Sequence, residues 1–215
     1  AEKSEIIVPG QFRQRGVKVG AHIPPNPANI AEFMDFWQTG YQEQLAGESA
    51  LIALFAAHHR LAWIHPFIDG NGRVSRLHTH IGLTLLGLTQ GLWSPLRGLA
   101  RAQSDYYAHL IAADSDRKGD YDGRGNLSEQ DLMSFISFMI NICLDQISFM
   151  ESLLNLDEWS ARLSQMLAAE GTKEATKSLK IEAAIPLTYL GTIKSIERSR
   201  FKAMMGLADR TADRV

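Results

Sequence analysis

The chain has 215 residues, 45% hydrophobic and 21% charged, with a formal net charge of -2. That balance excludes a disordered, collagen-like or low-complexity chain, and the near-neutral charge excludes a bulk polyanion binder. The single cysteine, Cys143, excludes a disulfide framework and fits a reducing compartment, so a cytoplasmic location is expected.

The N-terminus has no signal-peptide pattern. It also lacks an initiator Met, as expected of a fragment or trimmed product. Ile6-Ile7-Val8 stops at the turn signal Pro9-Gly10; Gly16 to Gly20 alternates, and Pro24-Pro25 prevents a helix. The segment reads as a small β-hairpin flap near residues 14–25. Asn26-Pro27 marks a helix start, with Ile30, Phe33, Met34, Trp37 and Tyr41 at helical spacing. Gly47-Glu48-Ser49 opens a second helix. Its apolar positions, among them Leu51, Leu54, Phe55, Leu61 and Ile64, are dense enough to be buried all round. Pro66 ends it, and a loop runs from His65 to Gly70.

A third helix is expected from Asn71 to about Leu88, and a fourth from Arg101 to Ala113. Ile81 to Trp93 is the longest apolar run, but Gly, Thr and Gln interrupt it, so no membrane partner is expected. Asp114 to Asn126, with Gly119, Gly123 and Gly125, reads as a solvated connector. Ser128 caps the longest helix, whose stripe Leu132, Phe135, Met139, Ile142, Cys143, Ile147, Met150 and Leu154 is core. Cys143 on it reads as an inert thiol. Leu156 to Lys180 reads as a connecting helix, and Ile181 to Val215 as two or three short helical segments.

One segment carries chemistry: His65-Pro66-Phe67-Ile68-Asp69-Gly70-Asn71-Gly72-Arg73-Val74-Ser75-Arg76. Gly70, Asn71 and Gly72 let the backbone turn tightly where a helix begins, and a helix start offers free N–H groups to an anion. Arg73 and Arg76, three apart, share a helix face and suit a polyphosphate; Ser75 between them joins the phosphate-binding set. Asp69 adds a hard oxygen ligand for Mg²⁺, which is held by one or two carboxylates plus substrate phosphates. His65 takes a proton near neutrality. Together the parts fit transfer of a nucleotidyl or phosphoryl group to a hydroxyl. His58, His59, His78 and His80 show no metal-ligand spacing and read as packing or surface histidines.

The segment resembles the Fic family signature HPF-x-[DE]-GNGR-x-x-R, with every fixed position present and Asp69 at the acidic one. Pro9 to Arg13 and Val17 to Pro25 look like the family's lead-in and flap. Ser104-Asp105-Tyr106-Tyr107, with Leu110, looks like its adenine-pocket helix. The resemblance covers about residues 9–155. It implies an all-α, Fic-type helical bundle with a small N-terminal β-hairpin flap, in a core over 1–156. A connecting helix over 157–180 and a partial winged-helix or helix–turn–helix over 181–215 would follow.

The implied activity is transfer of AMP from ATP to a Tyr, Thr or Ser hydroxyl of a target protein, releasing pyrophosphate. His65 would be the general base and Asp69 would hold the Mg²⁺. Gly70, Asn71 and Gly72 would form the anion hole, with Ser75, Arg73 and Arg76 on the phosphates. Tyr106 and Tyr107 would contact the adenosine. Val17, Val19 and Gly20 on the flap would complete the set, the flap pairing with an extended target strand. Asp114 stands where some relatives carry Asn. Transfer of another nucleotide, phosphate or phosphocholine is the alternative, as is a nucleotide-sensing DNA-binding regulator. A homodimer is a further expectation.

The family's inhibitory motif, [ST]-x-x-x-E-[GN], has no complete copy in the chain. Thr39 to Gln44, with Glu43, and Ser178 to Ala183, with Glu182, come nearest. The expectation is a fragment without its inhibitor, or inhibition by a partner. From Gly191 to Ala212 the sequence looks like a helix–turn–helix with Gly206 in the turn. Lys194, Arg198, Arg200, Lys202, Arg210 and Arg214 outnumber the acids there, which motivates DNA as a partner.

Overall fold

The computed structural model describes residues 8–42, 49–172, 180–193 and 195–207. Asn26 accepts a hydrogen bond from the Ala28 N–H, and Pro27 opens a 3-10 turn that runs into α1 (Ile30–Gln42). There follow α2 (Ala50–Ile64), α3 (Asn71–Leu85), α4 (Pro95–Arg101), α5 (Gln103–Ala112), α6 (Glu129–Leu154), α7 (Leu156–Glu170), α8 (Ala184–Ile193) and α9 (Arg198–Met205). The chain forms two compact units, Ala1–Ile147 and Ser148–Val215, divided within α6.

In the first unit α2 is the central helix, packed on α1 and α3. Its Leu54 and Phe55 join Leu83, Leu99, Tyr106 and the α6 face Phe135, Ile136, Met139 and Ile142 in one core. Two glycines let the helices close. A Cβ at Gly82 would come 2.3 Å from Leu54, and one at Gly98 would come 2.7 Å from Ile142. By length and composition α6 could cross a membrane, a property the sequence reading missed. Its expected apolar stripe is core from Phe135 to Cys143, whereas Ile147 and Leu154 are exposed. Burial pushes the Cys143 thiol up to about 12, so it stays protonated and inert.

Three elements depart from expectation. The hairpin flap shrinks to a turn: Val19 and His22 exchange both backbone hydrogen bonds at 3.0 Å, with Gly20 left-handed at φ 62°. No strand occurs among the described residues. Pro24 and Pro25 have no N–H to extend the pairing, and alternation makes a strand only where a partner edge exists. Ile6 and Ile7 lie outside the described residues.

The fourth expected helix is two. It begins at Pro95, where the Ser94 hydroxyl accepts from the Leu96 N–H, and it breaks at Ala102. The third helix stops at Leu85, short of Leu88.

The connector over 114–126 is built rather than loose. Asp122 accepts from the N–H groups of Gln130 and Lys118 and from the Ser128 hydroxyl. Led by the Gln130 bond, these hold its carboxyl down at about 2. Ser128 caps α6 as expected, accepting from the Asp131 N–H.

In the second unit Leu163 and Leu167 of α7 bury against Ala183, Ala184 and Met205. Gly206, left-handed at φ 63°, ends α9. The second helix expected of the helix–turn–helix, with Arg210 and Arg214, lies outside the described residues, as do Lys194, Glu43 and Ser178. Among the described residues, α9 and the left-handed Gly206 fall in the stretch where that motif was expected.

Candidate active site

The loop between α2 and α3 passes twice through left-handed backbone. His65 caps α2 with φ 50°, ψ 58°, a conformation uncommon outside glycine and asparagine. Gly70, at φ 88°, opens α3 and supplies no side-chain cap, so the first-turn N–H groups stay free for an anion. Asn71 clamps the loop from inside. Its amide donates to the Phe67 carbonyl at 2.7 Å and accepts from the Phe67 N–H at 2.9 Å.

A buried relay continues from Asn71. The Ser75 hydroxyl donates to the Asn71 carbonyl at 3.0 Å, and the Thr79 hydroxyl donates to the Ser75 carbonyl at 3.2 Å. With its proton spent there, Thr79 accepts from His58 Nδ1 at 2.6 Å, which leaves Nε2 to accept from the Tyr106 hydroxyl at 2.9 Å. Burial pulls the His58 imidazole down to about 3, consistent with a neutral ring. The Tyr106 phenol is raised by burial, and Arg76 beside it opposes the rise.

A cavity of about 780 Å³ opens between this relay and the Val19–His22 turn. Of the expected residues, His65, Asn71, Gly72, Arg76, Tyr106, Tyr107, Val19 and Gly20 line it. A Cβ at Gly72 would stand 3.2 Å from Arg76 Nη1, so glycine keeps room for that guanidinium.

Five expected residues do not line it. Asp69 and Arg73 pair with each other at 2.8 Å on the outer face, 63% and 74% exposed. Asp69 instead borders a second cavity of about 390 Å³ beside residues 8–14. The two arginines therefore diverge, because Asp69 captures Arg73 across one helical turn. Ser75 is fully buried with its hydroxyl on Asn71, which removes it as a phosphate ligand. Val17 lies outside the lining, and Gly70 acts through the turn it makes.

His65 is half-buried. Burial lowers its pKa, the Ala62 carbonyl 3.4 Å from Nδ1 works the other way, and Arg13 and His22 lower it further. That contact directs the Nδ1 proton to Ala62 and leaves Nε2 to accept.

Sequence reasoning missed three contributors. His59, taken for packing, lines the cavity and meets Asp114 at 2.8 Å. Asp114 also lies 4.0 Å from His22, whose other ring nitrogen meets the Trp63 carbonyl at 2.8 Å. Arg13, noted only in the lead-in, is 2% exposed. Adjacent histidines on a densely apolar helix were a usable signal, since a buried imidazole needs partners; Arg13 had none. Among the described residues no group of three metal-ligating side chains is present.

Residues 2–83 match the Fic/DOC family. Among curated proteins, the chain is similar to protein adenylyltransferase Fic of Drosophila mojavensis, 37% identical over 107 residues, and to that of Drosophila willistoni, 42% identical over 105. Each alignment covers 48% of this chain and 20% of the relative, so the chain spans about a fifth of those proteins. Among solved structures, a Fic domain containing signaling protein from Bacteroides thetaiotaomicron aligns with a TM-score of 0.50 at 19% identity. The match covers 68% of this chain and 56% of that one. At that identity the likeness speaks for the fold alone.

Proposed function

We propose that this chain, a member of the Fic/DOC family, transfers AMP from ATP to a hydroxyl side chain of a target protein. One observation carries the reading: an imidazole, an uncapped helix start, a guanidinium and a backbone turn all face one cavity. A pocket of that size accommodates a nucleotide. The names of the curated relatives point the same way.

In this reading the triphosphate lies against the first-turn N–H groups of α3, with Arg76 drawing on its outer charge. Tyr107 borders the nucleoside, while Tyr106 holds the wall with its hydroxyl tied to His58. His65 Nε2 takes the proton of the incoming hydroxyl. The freed oxygen forms a bond to the α-phosphorus as the bond to the bridging oxygen breaks, and pyrophosphate leaves. The target segment would align on the exposed backbone beside the Val19–His22 turn.

A lone carboxylate fits Mg²⁺ only together with phosphate oxygens and water, and Asp69 is such a group. When bound, the ion would neutralise charge on the phosphates. The Asp69–Arg73 pair would have to part for both residues to reach a nucleotide.

The test is incubation with α-labelled and γ-labelled ATP in a cell lysate, followed by mass spectrometry. The reading expects label from the α position alone, as AMP on Tyr, Thr or Ser, and none from a His65→Ala chain. Label from the γ position would mean phosphate transfer instead.

A further inference from the structure

Arg13 is a buried cation whose donors, among the described residues, meet only backbone carbonyls. Nε donates to the His65 carbonyl at 2.8 Å, and Nη2 reaches that of Ile64 at 3.5 Å. The Arg13 N–H donates to the Pro66 carbonyl at 2.8 Å. Three consecutive residues around the left-handed His65 are thus held from one side chain and its own backbone. The same guanidinium holds a second segment: Nη1 donates to the Arg15 carbonyl at 2.8 Å and Nη2 to that of Pro25 at 2.6 Å. Arg15 and Pro25 are the two ends of the loop that carries the Val19–His22 turn.

We propose that Arg13 is a positioning residue that fixes the His65 backbone and the Val19–His22 loop relative to each other. Both walls of the cavity then hang on one planar fork. Turning a strained residue at φ 50° needs a partner that over-determines it, and the carbonyl of that residue is the one Nε grips. Closing the loop at its two ends works beside the His22 ring contact with the Trp63 carbonyl to fix where Val19 and His22 stand, since among the described residues the turn's backbone pairing is one bridge. An ammonium is a compact point donor and cannot span these carbonyls in one plane, so the role belongs to arginine and not to positive charge alone. The kinetic arm of the test rests on the transfer reading; the structural arm does not.

The experiment uses the full chain with Arg13→Lys and Arg13→Gln, each checked by thermal unfolding. Hydrogen exchange is followed by mass spectrometry on peptides over 14–25 and 62–68, with 132–143 as reference. In both variants the first two segments are expected to exchange at least about tenfold faster, together, while the reference stays unchanged. Lysine is expected to behave like glutamine. In the kinetic arm, label transfer from α-labelled ATP to lysate proteins falls about tenfold or more, while binding of a fluorescent ATP analogue weakens less than about threefold. A lysine variant that exchanges like the parent overturns the proposal, as does one segment loosening without the other. If Arg13→Gln does not fold, the lysine variant decides. An unsubstituted chain inactive towards ATP would defeat the transfer reading, and the exchange comparison would then decide the role of Arg13 by itself.

Discussion

The inner and outer faces of the His65–Arg76 loop are held in different ways. Inside, Asn71 clamps Phe67 twice, Ser75 and Thr79 pass the bonding on to His58 and Tyr106, and Arg13 grips the His65 carbonyl. Outside, Asp69 and Arg73 pair with each other, largely exposed to solvent. An exposed pair of this kind contributes little to stability, whereas each buried bond is costly to break. The inner groups are thus set in place before any ligand arrives, and the outer pair is free to exchange partners cheaply.

Substitutions can break or sharpen that contrast. The largest effect is expected from His65→Ala, which should lower single-turnover label transfer from α-labelled ATP by about a thousandfold with the unfolding temperature little changed. Retained transfer would remove the inner face's claim to the chemistry. Next, Arg76→Met should lower transfer about a hundredfold, and Arg73→Met about tenfold or less, mostly through weaker nucleotide binding. Equal losses in those assays would erase the distinction between the faces. Asn71→Ala leaves the part-buried Phe67 N–H and carbonyl unpaired and should destabilise the fold by about 1–3 kcal/mol in urea titration. Asp69→Asn should shift that stability by less than about 1 kcal/mol.

The last comparison is in pH. The folded-state pKa of His58, about 3, lies below its ordinary 6.5, so between those values the unfolded chain binds a proton that the fold refuses. The stability gained by keeping the ring neutral is full above pH 6.5 and declines as pH falls towards 3, with a slope of about one proton. His58→Gln should flatten that slope in urea melts. His65, lowered chiefly by burial, should leave transfer intact down to pH 6.5 and lose it only below, as a pH–rate profile would record.

What was legible in the sequence was local. The loop glycines, the Asn26-Pro27 start and the Ser128 cap act within a few residues of themselves, so spacing alone reveals them. Ser94-Pro95 was equally local and was passed over, which moved a helix start from 95 to 101. The flap was overread because alternation in 16–20 says nothing about whether a partner edge exists. Arg13, the His59–Asp114 contact and the outward turn of Arg73 depend on residues brought together by the fold or on a choice between partners, and no periodicity encodes them.

The two loop glycines are not interchangeable. Position 70 needs glycine for its backbone angle, but position 72 has an ordinary one and is small only because Arg76 lies so near. One added methyl at 72 would therefore spare the helix and nudge the guanidinium off its line. That offers a way to dull the pocket's grip on phosphate while every polar group stays in the protein.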